Sequence, residues 1–287
     1  ETLVELGKDN PDIVVLDADL STSTNTSIFR KAFPNRHFDM GIAEADMVGT
    51  AAGMAAAGLV PFASSFAMFA VGRTYDQIRN AICYADLPVK IVATHAGITV
   101  GEDGGSHQMI EDIAMMRVVP NMSVLVPADS TETAQMIRFA AGYKHPLYVR
   151  LPRDKFPVIY SDAYKFGFGK WDVPVKGSGE VVVFACGLMV SQCIEAAALL
   201  EKSGIAVTVV NASTIDPADI ETLRRETEKA KLVVTAEEAL VRGGLGGLVA
   251  EELAEYRPLP LLRLGMHNRF GESGTAESLV EAFRMRG

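Results

Sequence analysis

The sequence predicts an α/β protein built from two parallel-sheet domains in tandem. Three observations predict it. Short apolar runs such as Ile13-Val14-Val15-Leu16 and Val181-Val182-Val183-Phe184 do not alternate with polar residues, the pattern of strands covered on both faces. Stretches of helical character separate these runs, as a parallel sheet requires of its crossover connections. A segment without clear period, 157–180, interrupts the order, and the alternation starts afresh at Val181. The predicted division is a first domain over 1–160, a linker over 161–180 and a smaller second domain over 181–287.

Taken in order, residues 1–12 read as the end of a helix running into a turn at Asn10-Pro11-Asp12. The first strand, 13–16, ends in Asp17-Ala18-Asp19 and a hydroxyl-rich stretch, Ser21 to Ser27. Open α/β sheets keep ligands at such strand ends; a solvated loop that caps the next helix is the plainer alternative. Residues 41–58 are rich in Ala, Met and Gly and predict a nearly all-apolar helix, buried in the core or at a subunit interface. Val60 to Ala63 leads into an aromatic segment, Ser64-Ser65-Phe66-Ala67-Met68-Phe69. An amphipathic helix over 74–84 and a strand over 89–94 follow. The segment 96–106 holds Gly97, Gly101, Gly104 and Gly105 and carries the central polar groups. A strand at 124–126 precedes a helix capped by Ser130, and a strand at 147–151 leads to Pro152-Arg153-Asp154. The linker region contains Trp171 and room for an edge hairpin. The second domain reads as strand 181–186, helix 191–202 and strand 206–210. A helix then starts with Asp216 as cap and Pro217 in its first position. Strand 232–236, helix 246–256 and strand 259–264 complete the sheet.

Hydrophobic residues make up 48%, enough for a sizeable core and too many for a disordered chain. The net charge of −9, with no Lys/Arg block, argues against nucleic acid as a partner. Cys83, Cys186 and Cys193 form no CxxC pair, and Cys186 and Cys193, in apolar surroundings, read as core thiols of a reducing compartment. No run of about 18 apolar residues predicts a membrane span, and no leader is visible, so the expectation is a cytoplasmic protein.

Six residues between Asp39 and His107 are candidates for chemistry. Glu44 falls in the first turn of the apolar helix, where an acid favours the helix dipole. Buried among Met40, Ala43, Met47 and Val48, it would instead be suited to sharing a proton with a ligand nitrogen. Phe66 and Phe69 are spaced for core packing, and equally offer flat faces for a planar heterocycle. His95, Asp103 and His107 gather around one Gly-rich loop. A metal cluster is a rival reading of those three, but their spacing matches no common ligand template, and no metal ligand is assigned. Gly101-Glu102-Asp103-Gly104-Gly105 has no Lys-Ser/Thr after its glycines, which excludes a Walker-type loop. Arg242-Gly243-Gly244-Leu245-Gly246-Gly247 opens a helix; it reads first as a close-packed turn and second as a place for an anion.

Together these segments resemble a known family. Residues 39–47, 66–69, 101–108, 151–157 and 265–274 strongly resemble the C-terminal half of transketolases, and the likeness covers essentially the whole chain. Gly-Ile-Ala-Glu is shared across thiamine enzymes; Gly-Glu-Asp-Gly followed by His107-Gln108, with His95 upstream, is closer to transketolase itself. The resemblance implies a pyrimidine-binding domain followed by a transketolase C-terminal domain. Glu44 then matches the catalytic glutamate that protonates the aminopyrimidine of thiamine diphosphate. Phe69 matches the ring stacked on it, with Phe66 beside it, and Asp19 an acid near the cofactor. Asp103 and His107 match groups that orient the donor ketose. His95, Arg153 and Ser23 match groups that hold a sugar phosphate.

The sequence also departs from the family. A tyrosine usual in the aromatic segment is replaced near Gly72, and another phosphate-binding arginine would lie upstream of Glu1. The diphosphate and Mg²⁺ motif, Gly-Asp-Gly followed by Asn, is absent from these 287 residues. The resemblance therefore implies the C-terminal subunit of a split transketolase, with Mg²⁺ ligands on an N-terminal partner subunit. Self-association through the pyrimidine-binding domain would give two of these chains with two partners. Half of a 1-deoxyxylulose-5-phosphate synthase, or the beta subunit of a 2-oxoacid dehydrogenase, is the alternative within the fold.

Overall fold

The structure is a computed structural model that describes residues 1–285. Its first sheet contains β1 (Ile13–Asp17), β2 (His37–Asp39), β3 (Val60–Ser64), β4 (Lys90–Ala93), β5 (Ser123–Leu125) and β6 (Leu147–Arg150), all parallel in the order β5-β6-β4-β3-β1-β2. Every residue of β1 is buried. Successive side chains of a strand face opposite sides. Accordingly Val14 and Leu16 join one core cluster, while Ile13 and Val15 join another with Phe29, Met136 and Ile137. The unbroken apolar runs are thus explained by cover on both faces.

The helices of this part are α1 (Thr2–Asp9), α2 (Ser27–Ala32), α3 (Glu44–Ala56), α4 (Tyr75–Gln77), α5 (Asp112–Arg117) and α6 (Ser130–Gly142). Three expectations need correction. The apolar helix begins at Glu44 rather than Gly41, because Gly41 takes the left-handed conformation (φ +67°) and the chain turns there. The helix expected over 74–84 is α4 followed by a wide π turn, Ile78–Cys83. Asp129, not Ser130, caps α6: its Oδ1 accepts the Glu132 N–H at 2.8 Å, and its Oδ2 accepts those of Ile159 and Tyr160 at 2.9 and 2.8 Å. One carboxylate thus serves both a helix start and the chain that leaves β6.

The second sheet contains β7 (Asp172–Val175), β8 (Val181–Ala185) and β9 (Val207–Asn211), then β11 (Leu232–Leu240) and β12 (Leu261–Met266), with β10 (Thr214–Asp216) lying outside it. Its order is β12-β11-β8-β9-β7, parallel except for β7. Helices α7 (Met189–Glu201), α8 (Ile220–Thr227), α9 (Leu245–Tyr256) and α10 (Ala276–Ala282) accompany it. Within the expected linker, β7 is an antiparallel edge strand, and Trp171 beside it is buried with Nε1–H donating to the Thr214 carbonyl at 2.7 Å.

The expected cap at Asp216 is overturned. β10 crosses back to pair antiparallel with β5 of the first sheet, and Asp216 is its last residue. Asp219 caps α8 instead, accepting the Thr222 N–H at 3.1 Å and, through its other oxygen, that of Trp171 at 2.9 Å. β11 is longer than predicted, and its added residues Glu237 and Glu238 are almost fully buried. The Glu237 carboxylate accepts the Leu245 and Gly246 N–H groups at 2.9 and 2.7 Å, at the start of α9. The N–H groups of the glycine-rich turn are thus met by an acid of the chain itself. Burial pushes Glu237 up to about 7.

All three cysteines are buried and free. Among the described residues no helix is long and apolar enough to cross a membrane. Asp129→Ala should lower stability by about 1–3 kcal/mol, the cost of a lost cap and of buried N–H groups left unpaired. Urea unfolding of the variant against the parent measures it.

Candidate active site

The candidate residues gather at the C-terminal ends of the parallel strands, where an open α/β sheet leaves its crevice. Asp19 and Ser23 follow β1, Phe66 and Phe69 follow β3, His95 follows β4, and Arg153 follows β6. The turn after β1 is held from below by buried Asp17. Its Oδ2 accepts the hydroxyls of Thr24 and Thr26 at 2.9 and 2.8 Å, and its Oδ1 the Leu20 N–H at 2.7 Å. Asp19 and Ser23 are both exposed on that loop, and the Asp19 N–H donates to Asp39 at 3.0 Å.

The rings form one wall. Phe66 stacks on His95 with centroids 3.7 Å apart and planes 18° from parallel. Phe66 and Phe69 lie 6.1 Å apart at 16°. His107 meets Phe69 edge-on at 5.4 Å. The chain reaches this arrangement because a wide π turn, Met68–Gly72, follows the strand and throws Phe69 outward.

Glu44 is 1% exposed at the first position of α3. A buried carboxylate needs a partner, and the sequence reading missed it: Arg73 Nη1 lies 2.8 Å from Glu44 Oε2. The Arg73 guanidinium also lies over the Phe69 ring, 4.6 Å from its centroid. A flat, hydrogen-bond-donating cation therefore fills the space between the buried acid and the aromatic face. A planar nitrogen heterocycle offers the same donor edge and the same flat surface, so these residues fit an aminopyrimidine. The spacing of Arg73 four residues after Phe69 was the available signal.

His95 is held in the left-handed region (φ 58°), with Nδ1 2.9 Å from the Thr94 hydroxyl. Burial pushes it down to about 4, Arg153 adds to the fall, and Asp103 opposes it. It is thus a neutral imidazole at pH 7, with Arg153, Asp103, Asp154 and His107 around it. Arg153 donates to the Val100 carbonyl and approaches Glu102 at 3.4 Å. Asp103 is exposed at the end of the loop, and His107 Nδ1 pairs with the Ser106 hydroxyl at 3.0 Å. Among the described residues, no three of His, Cys, Asp and Glu converge to hold a metal ion. The metal-cluster reading of His95, Asp103 and His107 therefore lacks a geometry.

The fold is a two-domain α/β protein, and at the strand ends of its first sheet a buried acid, a guanidinium and an aromatic face lie together. Residues 1–158 match the family model for the transketolase pyrimidine binding domain, and residues 169–286 that for the transketolase C-terminal domain. A Methanocaldococcus jannaschii protein whose name marks it as a transketolase C-terminal section is 47% identical over the whole chain and 90% of its own length. The Clostridium sp. (strain MSTE9) 6-deoxy-6-sulfo-D-fructose transketolase subunit is 40% identical over 99% of this chain and 88% of its own. A solved structure described as a split gene transketolase, inactive beta4 tetramer, superposes with a TM-score of 0.90 at 47% identity, over 99% of this chain and 91% of that one. The chain belongs to the transketolase family. It comprises the pyrimidine-binding and C-terminal domains of this class of thiamine enzyme.

Two outcomes test the geometry. Removing Arg73 leaves a buried carboxylate unpaired, so Arg73→Ala should cost roughly 1–3 kcal/mol, and adding Glu44→Gln should recover part of it. Urea unfolding of the cycle measures that coupling. His95 binds its proton less readily folded than unfolded, so stability should fall as pH drops from about 6.5 towards 4. His95→Gln should flatten that part of the stability–pH curve, read by denaturant midpoints.

Proposed function

We propose that this chain is the C-terminal subunit of a thiamine diphosphate-dependent transketolase, which moves a two-carbon ketol unit from a ketose phosphate to an aldose phosphate. The observation that carries the reading is buried Glu44 facing the Phe69 ring through the flat Arg73 guanidinium, whose place we assign to the aminopyrimidine. Thiamine diphosphate, when bound, supplies the nucleophilic carbon and the electron sink for carbon–carbon cleavage.

The chain's own residues do the rest. Glu44 holds a proton against the aminopyrimidine nitrogen, in a site where burial makes that hydrogen bond strong. Phe69 presents its face to the ring with Phe66 behind it, and Arg73 yields the position it fills. Asp19 stands near the cofactor from the β1 loop. His107 and Asp103 orient the donor's hydroxyls. Arg153, with the His95 imidazole and the Ser23 hydroxyl, holds the phosphate end by charge and hydrogen bonds. Fixing the donor in this way lowers the entropic part of the barrier.

The diphosphate and Mg²⁺ ligands are assigned to an N-terminal partner subunit, for which the names of the relatives provide support. Self-association is assigned to α3. Its exposed side presents Ala45, Gly49, Gly53 and Ala56, with Ile42 before it 76% exposed. Small residues there let another backbone approach closely. A cytoplasmic setting accords with the buried free thiols.

A second reading has its own support: a 1-deoxy-D-xylulose-5-phosphate synthase of Caldanaerobacter subterraneus is 37% identical over 99% of this chain, although this chain covers 45% of that protein. The donor decides. Mixed with an N-terminal-half partner, thiamine diphosphate and Mg²⁺, the chain should turn over with xylulose 5-phosphate and not with pyruvate. Turnover with pyruvate would favour the synthase. Glu44→Gln in the same assembly should lose about 10²–10⁴-fold in turnover while keeping its fold, and near-normal turnover would reject the role given to Glu44.

A further inference from the structure

The loop 97–108 that carries Asp103 and His107 is held largely by the second domain. At one end, Glu238 Oε1 of β11 accepts the Thr99 N–H at 2.6 Å across 139 residues of chain. A Cβ at Gly97 (φ +85°) would overlap the Glu238 carboxyl, so the loop backbone lies directly on that side chain. The neighbouring backbone is fixed as well: Arg150 Nη2 donates to the Glu238 carbonyl at 2.9 Å, and its Nε to Asp112 at 2.8 Å.

At the other end, buried Gln108 bridges the two domains. Its Nε2 donates to the Ile98 carbonyl at 3.0 Å and to the Glu272 carbonyl at 2.8 Å. A Cβ at Gly271 would overlap Gln108 Oε1, and one at Gly105 would come within 2.8 Å of the Gly271 carbonyl. Between these two grips the loop makes a tight turn, Ile98–Asp103, and sets His107 edge-on against Phe69.

We propose that the second domain is a clamp on this loop, with Glu238 and Gln108 as positioning residues that place Asp103 and His107 for the donor sugar. The proposal rests on the reading that those two groups touch the substrate. Glu238 and Gln108 themselves face the loop backbone, not the slot between Glu44 and Phe69. A Glu238 variant therefore disturbs donor placement and leaves the pyrimidine slot intact.

The test uses the assembly with its N-terminal-half partner, thiamine diphosphate and Mg²⁺. In Glu238→Ala, amide hydrogen exchange at Thr99 and its neighbours should quicken. Turnover should fall by up to about 100-fold with a raised KM for the ketose phosphate. Thiamine diphosphate affinity by calorimetry should be unchanged. Glu238→Gln, which keeps a carbonyl acceptor for Thr99, should restore both protection and turnover. Gly271→Ala presses on Gln108 from the far side without opening β11, and should quicken exchange in the same loop even if Glu238→Ala fails to fold. Unchanged exchange in the folded variants overturns the clamp. Quickened exchange with unaltered kcat and KM overturns the positioning role. A His107→Ala variant with normal kinetics would instead overturn the site reading beneath the proposal.

Discussion

A carboxylate taken out of water must find a positive or hydrogen-bonding partner, and the site is built around one such group. Glu44 is buried at the start of α3, where the helix dipole favours its charge. Its oxygen is met by Arg73, whose guanidinium lies flat on Phe69. The wide turn after β3 exists in the same place and presents both residues to Glu44. The pairing sets a flat cation between the acid and the ring and keeps the acid satisfied.

A second buried polar network joins the two sheets. Asp112 accepts the Tyr148 hydroxyl at 2.6 Å and Arg150 Nε at 2.8 Å. Arg150 reaches on to the Glu238 carbonyl, and Glu238 to Thr99. Burial raises Tyr148, Glu237 and Glu238 above their ordinary values. Such networks are costly unless every member is paired, and they fix one arrangement of the parts they join. Here the parts are the second sheet and the loop beside the aromatic wall. β10, which leaves the second domain to pair with β5, ties the same two bodies by backbone hydrogen bonds.

The likeness to transketolases extends well below the level of sequence. A Campylobacter jejuni transketolase shares 24% identity yet superposes with a TM-score of 0.84 over 99% of this chain, which shows a common fold. The share of that longer chain covered is 43%, while the subunit-sized relatives are covered almost throughout.

The sequence by itself determined the two α/β units, the strands buried on both faces, and the segments that converge on the site. Periodicity and unbroken apolar runs are local, and Glu44, Phe66, Phe69, His95, Asp103 and His107 stand in or beside them. Only the tertiary structure decided which acid meets which base and which residue caps which helix. Arg73 acquired its place only once Phe69 and Glu44 lay beside it, and Asp129 and Asp219 each also accept backbone N–H groups from distant parts of the chain. Glu237 and Glu238 lie beyond the predicted strand 232–236; in the fold they belong to β11 and bond the start of α9 and the loop at Thr99. Hydrophobic pattern is written along the chain, whereas the pairing of buried polar groups depends on what folding brings beside them.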